Sequence, residues 1–548
     1  MLIFFSFFYF LKKIIFFYMN KLFQKYQFYG GLSIPSHKQN NIIFPLKNMP
    51  CPELIRIPVK NYLIRQNKLC ISQGDHVSIG DPLIIGDNIN PTMHASISGV
   101  IGMINIDYND FYFDEKETEI LIISDHDYDN KHHSVKIDYK KLKKSDIIKK
   151  ICQFGIVGLG GSGFSCSKKL QTFVKSKYNI LIVNAVECEP YVVADECLIQ
   201  NYAGDVFLGC EIISWVLDIK TVIVAVSQNK LKTIEIIIQE LVHFINFELR
   251  IIPEIYPSGS SKQLIKILLN QEIPHEKHAN DMGILIHNVG TLFAIKRAVI
   301  NNIPLFERIV TIAGNNVFDV ENYWVKIGTP VSHILNCISM KSLHNNKIML
   351  GGVFLNDDKP LKLDPIVLKT TNYILLFNKN NINDNFFKSN NSRECIRCAA
   401  CSNVCPIRLL PQQLYWYSKN HDHDKSKLYN IKDCIECGLC ERVCPSKIHL
   451  VSYYKKEKKI IDNIEKNKNR IKISKIRFQQ HEKRLNLQKI FHKNSNFRMD
   501  NVINFNKIDF LKNQSNLIKH NNLIKKIDIK NQIKNSILRI KNKKNKFL

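Results

Sequence analysis

Eight of the sixteen cysteines fall into two runs with identical spacing, each closed by a proline. In such runs three thiolates hold one [4Fe–4S] cluster, and the fourth, placed before the proline, ligates the other cluster. The spacing therefore predicts two clusters. One is held by Cys395, Cys398, Cys401 and Cys444, and the other by Cys434, Cys437, Cys440 and Cys405.

Zinc is the alternative, because C-x2-C pairs also bind zinc. Zinc sites need neither four cysteines in each run nor a proline after each fourth cysteine, so the spacing favours iron–sulfur clusters. Two neighbouring clusters form a path for single electrons. Burial and hydrogen bonds to sulfur tune the reduction potentials of the clusters. The other eight cysteines are scattered, which is typical of buried small side chains in a reducing compartment and argues against a disulfide scaffold.

A glycine-rich segment forms the second motif. Gly158, Gly160, Gly161 and Gly163 follow the short apolar run FGIV and precede a predicted helix. Glycines let the backbone approach a phosphate closely, and a helix N-terminus supplies N–H donors. Phe164 stands where a Walker A loop carries lysine, so this loop is not of that type.

Polar residues at the end of a following strand add weight to that weak motif. The run ILIVN ends at Asn184 and is followed by Glu187 and Glu189, and such groups at a strand end fit hydrogen bonding to a ribityl, ribose or nicotinamide group. The alternative for the two glutamates is a capped, solvated turn.

Together the motifs indicate a chemistry. Clusters pass one electron at a time, whereas nicotinamides exchange a hydride. A flavin takes up electron pairs and releases them singly, which makes it the expected adaptor.

The remaining pattern predicts the elements that position these residues. Between about 30 and 123, short β-type runs with tight turns predict a small β-sandwich similar to biotin and lipoate carriers, but without the carrier lysine on its hairpin. From about 146 to 313, helices alternate with buried strands, which predicts a mostly parallel sheet. Short strands between 306 and 378 predict a small α+β module.

The charge is uneven. The chain has 548 residues and a net charge of +28, and residues 455–548 hold 27 Lys and Arg against 7 Asp and Glu. This Lys/Asn/Ile tail is predicted to be disordered or a loose helix. It lacks regular aromatic interleaving, so no nucleic-acid partner is expected, and anionic lipid head groups are the favoured partner.

Lys12 and Lys13 split the apolar N-terminus into pieces that are too short to span a bilayer. It is either an interfacial anchor or an extension upstream of a start at Met19, and the second interpretation is favoured.

Several segments closely resemble the RnfC family, which belongs to the Rnf/Rsx ion-translocating electron-transport complex. They are GIVGLGGSGFSCSKKL, VNAVECEPYVVADE, YPSGSSKQL, HNVGTLFAIKRAV, LLPQQLYWYSK and DCIECGLCERVCPSKIHLV, and the resemblance covers about 30–455. It implies a peripheral subunit on the cytoplasmic side of the bacterial inner membrane. Its partners would be the other membrane subunits of the complex, and it would link nicotinamide- and ferredoxin-type electron transfer to ion translocation. The alternative is a stand-alone soluble flavin and iron–sulfur NADH dehydrogenase.

The resemblance also implies cofactors and contacts. The central domain is similar to the flavoprotein of respiratory complex I, which implies FMN as cofactor and NADH as redox partner. The implied flavin contacts are Gly158, Gly160, Gly161, Gly163, Lys169, Asn184, Glu187, Tyr256, Gly259 and Asn288.

The expected protein is multidomain α/β and α+β. Its segments are an apolar extension (1–29), a barrel-sandwich domain (30–140), a Rossmann-like FMN/NADH-binding domain (141–305), a β-grasp module (306–380), a dicluster ferredoxin-like domain (381–455) and the basic low-complexity tail (456–548).

Overall fold

The computed structural model describes residues 29–34, 43–60, 69–87, 90–108, 117–125, 137–173, 175, 178–275, 277–315, 317, 319–338, 346–351, 364–378 and 392–494. The two interpretations of the N-terminal segment and the end of the basic tail lie outside these residues. The chain divides into two units, 1–462 and 463–548.

The first described segments join later domains. Leu32 forms a β-bridge with Tyr256, and β1 (Leu46–Asn48) pairs in parallel with a strand at Glu321–Lys326. These segments lie within the predicted barrel-sandwich range, but they pair with the domains that follow it.

A small antiparallel sandwich follows. Its strands are β2 (Leu54–Lys60), β3 (His76–Val77), β4 (Pro82–Ile84), β5 (Met93–His94), β6 (Gly99–Tyr108) and β7 (Glu117–Ser124). One sheet has the order β2-β7-β6-β3, and β4 pairs with β5. Alternate isoleucines of β2, β6 and β7 point inward, so that one face of each strand builds the core.

The predicted parallel sheet is confirmed. Strands β8 (Ile180–Ala185), β9 (Thr221–Ser227), β10 (Phe247–Ile252) and β11 (Ile284–Asn288) are all parallel, in the order β10-β9-β8-β11. The helices of this domain are α1 (Lys144–Gln153), α2 (Cys166–Gln171), α3 (Ala194–Leu217), α4 (Leu231–Leu241), α5 (Ser261–Leu269) and α6 (Val289–Val299), with 3-10 turns at Tyr139–Lys141 and Ala279–Met282. The strands are rich in Val and Ile because helices cover both faces of the sheet.

Helix α2 is shorter than the predicted helical run SKKLQTFVKSK. The Asn280 side chain donates to the carbonyl of Lys169 and to the Thr172 hydroxyl, at 2.8 and 3.2 Å. The Asn280 amide thus donates to a carbonyl in the last turn of α2, where helix carbonyls lack intrahelical partners.

The small α+β module consists of β12 (Glu307–Ala313), β13 (Glu321–Lys326), α7 (Val331–Cys337), β14 (Asn346–Leu350) and β15 (Tyr373–Asn378). Its sheet has the order β1-β13-β12-β15-β14, with β12 and β15 parallel at the centre and an antiparallel partner on either side. This order matches the β-grasp module that the family resemblance implies.

The cysteine-rich region is helical between its loops. It contains α8 (Ala400–Asn403), α9 (Pro411–Lys419), α10 (His423–Leu428), a 3-10 turn (Ile431–Asp433), α11 (Leu439–Arg442) and α12 (Leu450–Asn494). Helix α12 continues through the predicted boundary at 455/456. Tyr454 and Ile461 belong to the core around the cysteines, and buried Glu457 lies 2.8 Å from His423. No helix among the described residues is both long and apolar enough to cross a membrane.

Candidate redox site

The candidate binding site is the edge of the sheet at the carboxyl ends of β8 and β11, which we call the crevice. Asn184 and Asn288 are register partners there. From β8 the chain proceeds to β9 and β10 on one side, and β11 lies on the other, so the strand order reverses between β8 and β11. In open α/β sheets, ligands bind at such switch points.

The glycine-rich loop borders this crevice and is closed by its own backbone. The Gly158 N–H donates to the Phe164 carbonyl at 2.9 Å, and the Gly163 N–H donates to the Gly158 carbonyl at 3.0 Å. The Leu159 N–H donates to the Thr291 hydroxyl at 2.9 Å. Thr291 therefore positions the loop from α6, a role that the sequence did not predict although Thr291 lies in the segment HNVGTLFAIKRAV.

The exposed turn of the loop suits an anionic or hydrogen-bonding ligand. The N–H groups of Gly160, Gly161 and Ser162 find no acceptor among the described residues. A Cβ at Gly160 would lie 3.1 Å from the Asn288 side chain, and Gly161 has φ of +101°. Glycine is therefore needed for close approach at the first position and for a left-handed conformation at the second.

Both strand-end asparagines organise the crevice. The Asn184 side chain donates to the Gly259 carbonyl at 2.8 Å, which brings Gly259 to the strand end. Asn288 caps α6 by accepting from the Gly290 N–H at 2.9 Å, and its amide donates to Asp195. The structure therefore brings Gly160, Asn184, Gly259 and Asn288 together.

Glu187 is a buried cap. Its carboxylate accepts from the N–H groups of Asp195 and Glu196 at the start of α3, at 2.9 and 3.2 Å. The side chain is almost inaccessible, and one of its oxygens lies 3.4 Å from the Lys230 ammonium. The turn is therefore capped, as the alternative interpretation expected, but it is buried rather than solvated. The carboxylate already has partners, so a flavin contact from Glu187 stays a prediction.

Asp195 is a charged neighbour that the sequence reasoning did not select, although it lies in the segment VNAVECEPYVVADE. Burial and the nearby Glu187 carboxylate raise the pKa of Asp195 to about 7. Burial lowers the pKa of Lys230, but the nearby Glu196 and Glu187 carboxylates outweigh that effect, so the pKa is raised. Lys230 is therefore a buried cation within this cluster of acids.

Lys169 points into the protein. Its ammonium donates to the carbonyl of Ile286 on β11, and burial lowers its pKa. The structure thus pairs Lys169 with the sheet, and its contact with a flavin stays a prediction.

Two pockets lie within the cysteine-rich domain, and each is lined by four cysteines. The inner cage contains Cys405, Cys434, Cys437 and Cys440, and the outer cage contains Cys395, Cys398, Cys401 and Cys444. This grouping agrees with the pairing that the spacing predicts. Among the described residues, no three His, Cys, Asp or Glu side chains converge closely enough to hold a single metal ion.

The two cages are built by a repeated backbone. Arg397, Ala399 and Arg408 have positive φ in the first run, and Glu436, Gly438 and Lys447 have it at the corresponding places in the second. A short helix follows each time, at α8 and α11. The left-handed residues turn the chain around each cage, which aims successive cysteines at a common centre.

The donor chemistry of the cages fits iron–sulfur clusters. Burial raises the pKa of the Cys437 thiol to about 12, so that bound iron has to displace the proton. Backbone N–H groups approach the sulfurs: Leu409 donates to Cys405 and Glu436 donates to Cys434, each at 3.4 Å. Such N–H···S bonds stabilise thiolates and tune cluster potentials.

The inner cage is docked on the crevice domain. The buried Tyr256, which like Gly259 lies near Cys188, donates its hydroxyl to the Cys437 carbonyl at 2.9 Å. From α5, Gln263 donates to the Pro406 carbonyl at 3.2 Å, and Lys262 lies 2.9 Å from Asp433. The inner cage therefore lies next to the crevice, whereas Cys398 of the outer cage is exposed.

Three family models match the chain. The "RnfC Barrel sandwich hybrid domain" matches residues 26–127, the "Nuo51 FMN-binding domain" matches 151–297 and the "4Fe-4S dicluster domain" matches 394–448. The FMN and [4Fe–4S] predictions are thereby confirmed as cofactors of the domains, and zinc loses support.

Relatives of the same family match most of the chain, across these three domains. The RnfC protein of the ion-translocating oxidoreductase complex of Buchnera aphidicola subsp. Acyrthosiphon pisum is 40% identical over 448 residues, which are 80% of this chain and 92% of the relative. The protein of the same name from Erwinia tasmaniensis is 37% identical over 85% of this chain, which spans 57% of that longer protein.

A solved structure gives a weaker likeness. An NAD+-reducing [NiFe]-hydrogenase in the H2-reduced state is 15% identical, with a TM-score of 0.41 over 57% of this chain and 61% of that one. The family therefore follows from the sequence relatives and the domain matches: the chain belongs to the RnfC family of the ion-translocating oxidoreductase complex.

Proposed function

We propose that this chain is the electron-input subunit of an ion-translocating oxidoreductase complex. Electrons would pass between a nicotinamide and the crevice, then through the inner and outer cages to partner subunits. When bound, FMN exchanges electron pairs with nicotinamides and single electrons with the clusters. The chain's own residues hold these groups in order and keep water from the inner cage.

Each part of the crevice has a distinct task. The unpaired N–H groups of Gly160, Gly161 and Ser162 would bind the flavin from the loop. Asn184 and Asn288 fix the two strand ends between which it would lie. Glu187 acts indirectly, because it anchors the start of α3 and with it Asp195.

The hydrogen bond from Tyr256 to the Cys437 carbonyl is the observation that carries the proposal. It joins the segment that carries Gly259 directly to the backbone of an inner-cage ligand. Cys188, Tyr256, Cys437 and Leu439 also share one apolar cluster. The apolar contact excludes water along the proposed path and keeps the inner cage close to the crevice.

The outer cage supports an exit to a partner. Cys398 is exposed, and the neighbouring Ile396 is 68% exposed. A redox centre with an exposed ligand suits a short-lived contact with another electron carrier. We assign this face to a partner subunit of the complex.

A peripheral position on the cytoplasmic side of the inner membrane accords with the basic helix after Asp462. Residues 463–494 hold ten Lys and Arg against two Glu. Ile471, Phe478 and Leu485 recur every seven residues on this helix and are 68%, 63% and 41% exposed. Cations flanking an exposed apolar stripe fit an anionic lipid surface. This surface, rather than nucleic acid, is the proposed target of the tail.

The experiment is anaerobic purification of the full chain, followed by assay of FMN and iron and by addition of NADH. We expect a brown protein with two [4Fe–4S] clusters and one FMN. NADH should bleach the absorbance of the clusters and of the flavin. A colourless protein that carries zinc would contradict the proposal. The stand-alone dehydrogenase is distinguished by co-purification: the complex subunit stays bound to its partner subunits after the membranes are dissolved in detergent, whereas a stand-alone dehydrogenase does not.

A further inference from the structure

The glycine-rich loop is held from outside its own domain. Arg308 on β12 of the β-grasp module is 5% exposed, and its guanidinium donates to backbone carbonyls of three segments. Its Nη2 donates to the carbonyl of Leu159 in the loop at 3.3 Å, its Nη1 to the carbonyl of Lys369, and its Nε to that of Ile309 at 3.3 Å.

The charge of Arg308 is compensated in place. Burial lowers the pKa of Arg308 to about 10, while Asp195 and Glu187 act in the opposite direction. The guanidinium therefore remains a cation at neutral pH. Charged donors make stronger hydrogen bonds than neutral ones, which suits a contact that must fix a loop carbonyl.

A second contact from the same module meets the other end of the loop. Gly163 has φ of +60°, and a Cβ there would lie 2.9 Å from the Thr370 methyl group. Thr370 follows Lys369, whose carbonyl accepts from Arg308. The segment 369–370 and Arg308 thus confine the loop from one side, while Thr291 holds it from α6.

We propose that Arg308 is a positioning residue for flavin binding: its hydrogen bond to the Leu159 carbonyl holds the loop so that the N–H groups of Gly160, Gly161 and Ser162 remain free for the ligand. The β-grasp module thereby sets the affinity of a site in the neighbouring domain. This inference rests on the flavin crevice of the proposed function.

The test compares Arg308→Gln and Arg308→Lys with Arg297→Gln in the full chain. Arg297 is the matched control because it is also an arginine at the junction of the two domains, where it joins α6 to β12 through Glu307 at 2.8 Å. Its guanidinium has no contact with the loop among the described residues. Hydrogen exchange of amides 158–164 is measured without FMN, and FMN affinity is measured by titration of the flavin-free protein.

For Arg308→Gln we expect faster exchange of the loop amides and a rise of about tenfold in the FMN dissociation constant, the size of one charged hydrogen bond. Arg308→Lys should give a smaller rise, and Arg297→Gln should leave both readouts unchanged. An Arg308→Gln protein that keeps its clusters, its loop exchange and its FMN affinity overturns the inference.

If Arg308→Gln does not fold, the test rests on Arg308→Lys. Loop-amide exchange and FMN affinity equal to those of the parent in that variant would then overturn the inference. Failure of the parent protein to bind FMN would instead contradict the proposed function.

Discussion

Glu187 and Asp195 show how burial changes the role of a carboxylate. Glu187 stands at a strand end, where a ligand contact is expected, yet its oxygens accept from two N–H groups of α3 and face Lys230. Asp195 then lies beside Asn288 with the Glu187 carboxylate close by. The acid that faces the crevice asparagine is therefore Asp195, held there by Glu187.

The raised pKa of Asp195 predicts a pH dependence of stability. The folded-state pKa of about 7 exceeds the ordinary 3.8, so the folded state binds the proton more tightly. This contribution to stability is complete below about pH 4 and is lost as the pH rises towards 7. Asp195→Asn should remove that slope and make the protein more stable than the parent above pH 7. Urea unfolding midpoints across this range measure it, and parallel profiles for the two proteins would contradict the assignment.

Cys398 provides a test of the cage assignment. Cys398→Ser should lose the outer cluster and roughly half of the iron, because a cubane needs its four thiolates, while the inner cluster remains. Electron paramagnetic resonance of the reduced protein and iron assay measure the result. Cys337→Ser is the control, since Cys337 is exposed and lies outside both cages. Unchanged iron in Cys398→Ser would refute the grouping.

The cage ligands could be predicted because the cysteines of each run lie close together in the sequence. The two runs also share one backbone conformation, with left-handed residues at corresponding places. The role of Glu187 could not be predicted, because its partners Lys230 and the α3 N–H groups meet it only in the folded domain. Arg308 carried no signal at all, as a single arginine in a strand belongs to no motif.

At the level of elements, the alternation of helices and buried strands predicted the parallel sheet. The crevice then follows from the position of β11 beside β8. The strand order itself was not predictable, because it depends on packing between helices distant in sequence. Helix α12 differs most clearly from the prediction. Because Tyr454 and Ile461 pack on the core around the cysteines, the helix continues past the predicted start of the tail.

The part of α12 beyond Asp462 carries a prediction of its own. Truncation after Asp462 should abolish binding to vesicles that contain phosphatidylserine, because it removes the basic residues and the apolar stripe, and should leave iron and FMN unchanged. Vesicle co-sedimentation at low and high salt measures binding, since exposed charges are screened by salt.

A variant that combines Ile471→Gln, Phe478→Gln and Leu485→Gln keeps the charge and serves as the matched comparison. It should bind more weakly than the parent and with a steeper dependence on salt. Undiminished vesicle binding by the truncated chain would refute the assignment of the helix.

On the scale of the folded body up to Asp462, one apolar cluster joins four segments: the N-terminal stretch, the crevice domain, the β-grasp sheet and the cysteine-rich domain. Its members include Ile34, Tyr256, Tyr373 and Leu439. The resemblance predicted these domains in order along the chain. Which cage faces the crevice follows only from the tertiary contacts of Tyr256, Gln263 and Lys262.

The order crevice, inner cage, outer cage is the central claim, and rapid-freeze electron paramagnetic resonance after mixing with NADH tests it most directly. In the parent, both clusters should be reduced. In Cys398→Ser, the inner cluster should still be reduced. In Cys437→Ser, the flavin absorbance should bleach while the outer cluster stays oxidised over the time in which the parent reduces it. Reduction of the outer cluster at the parental rate in Cys437→Ser would contradict the account.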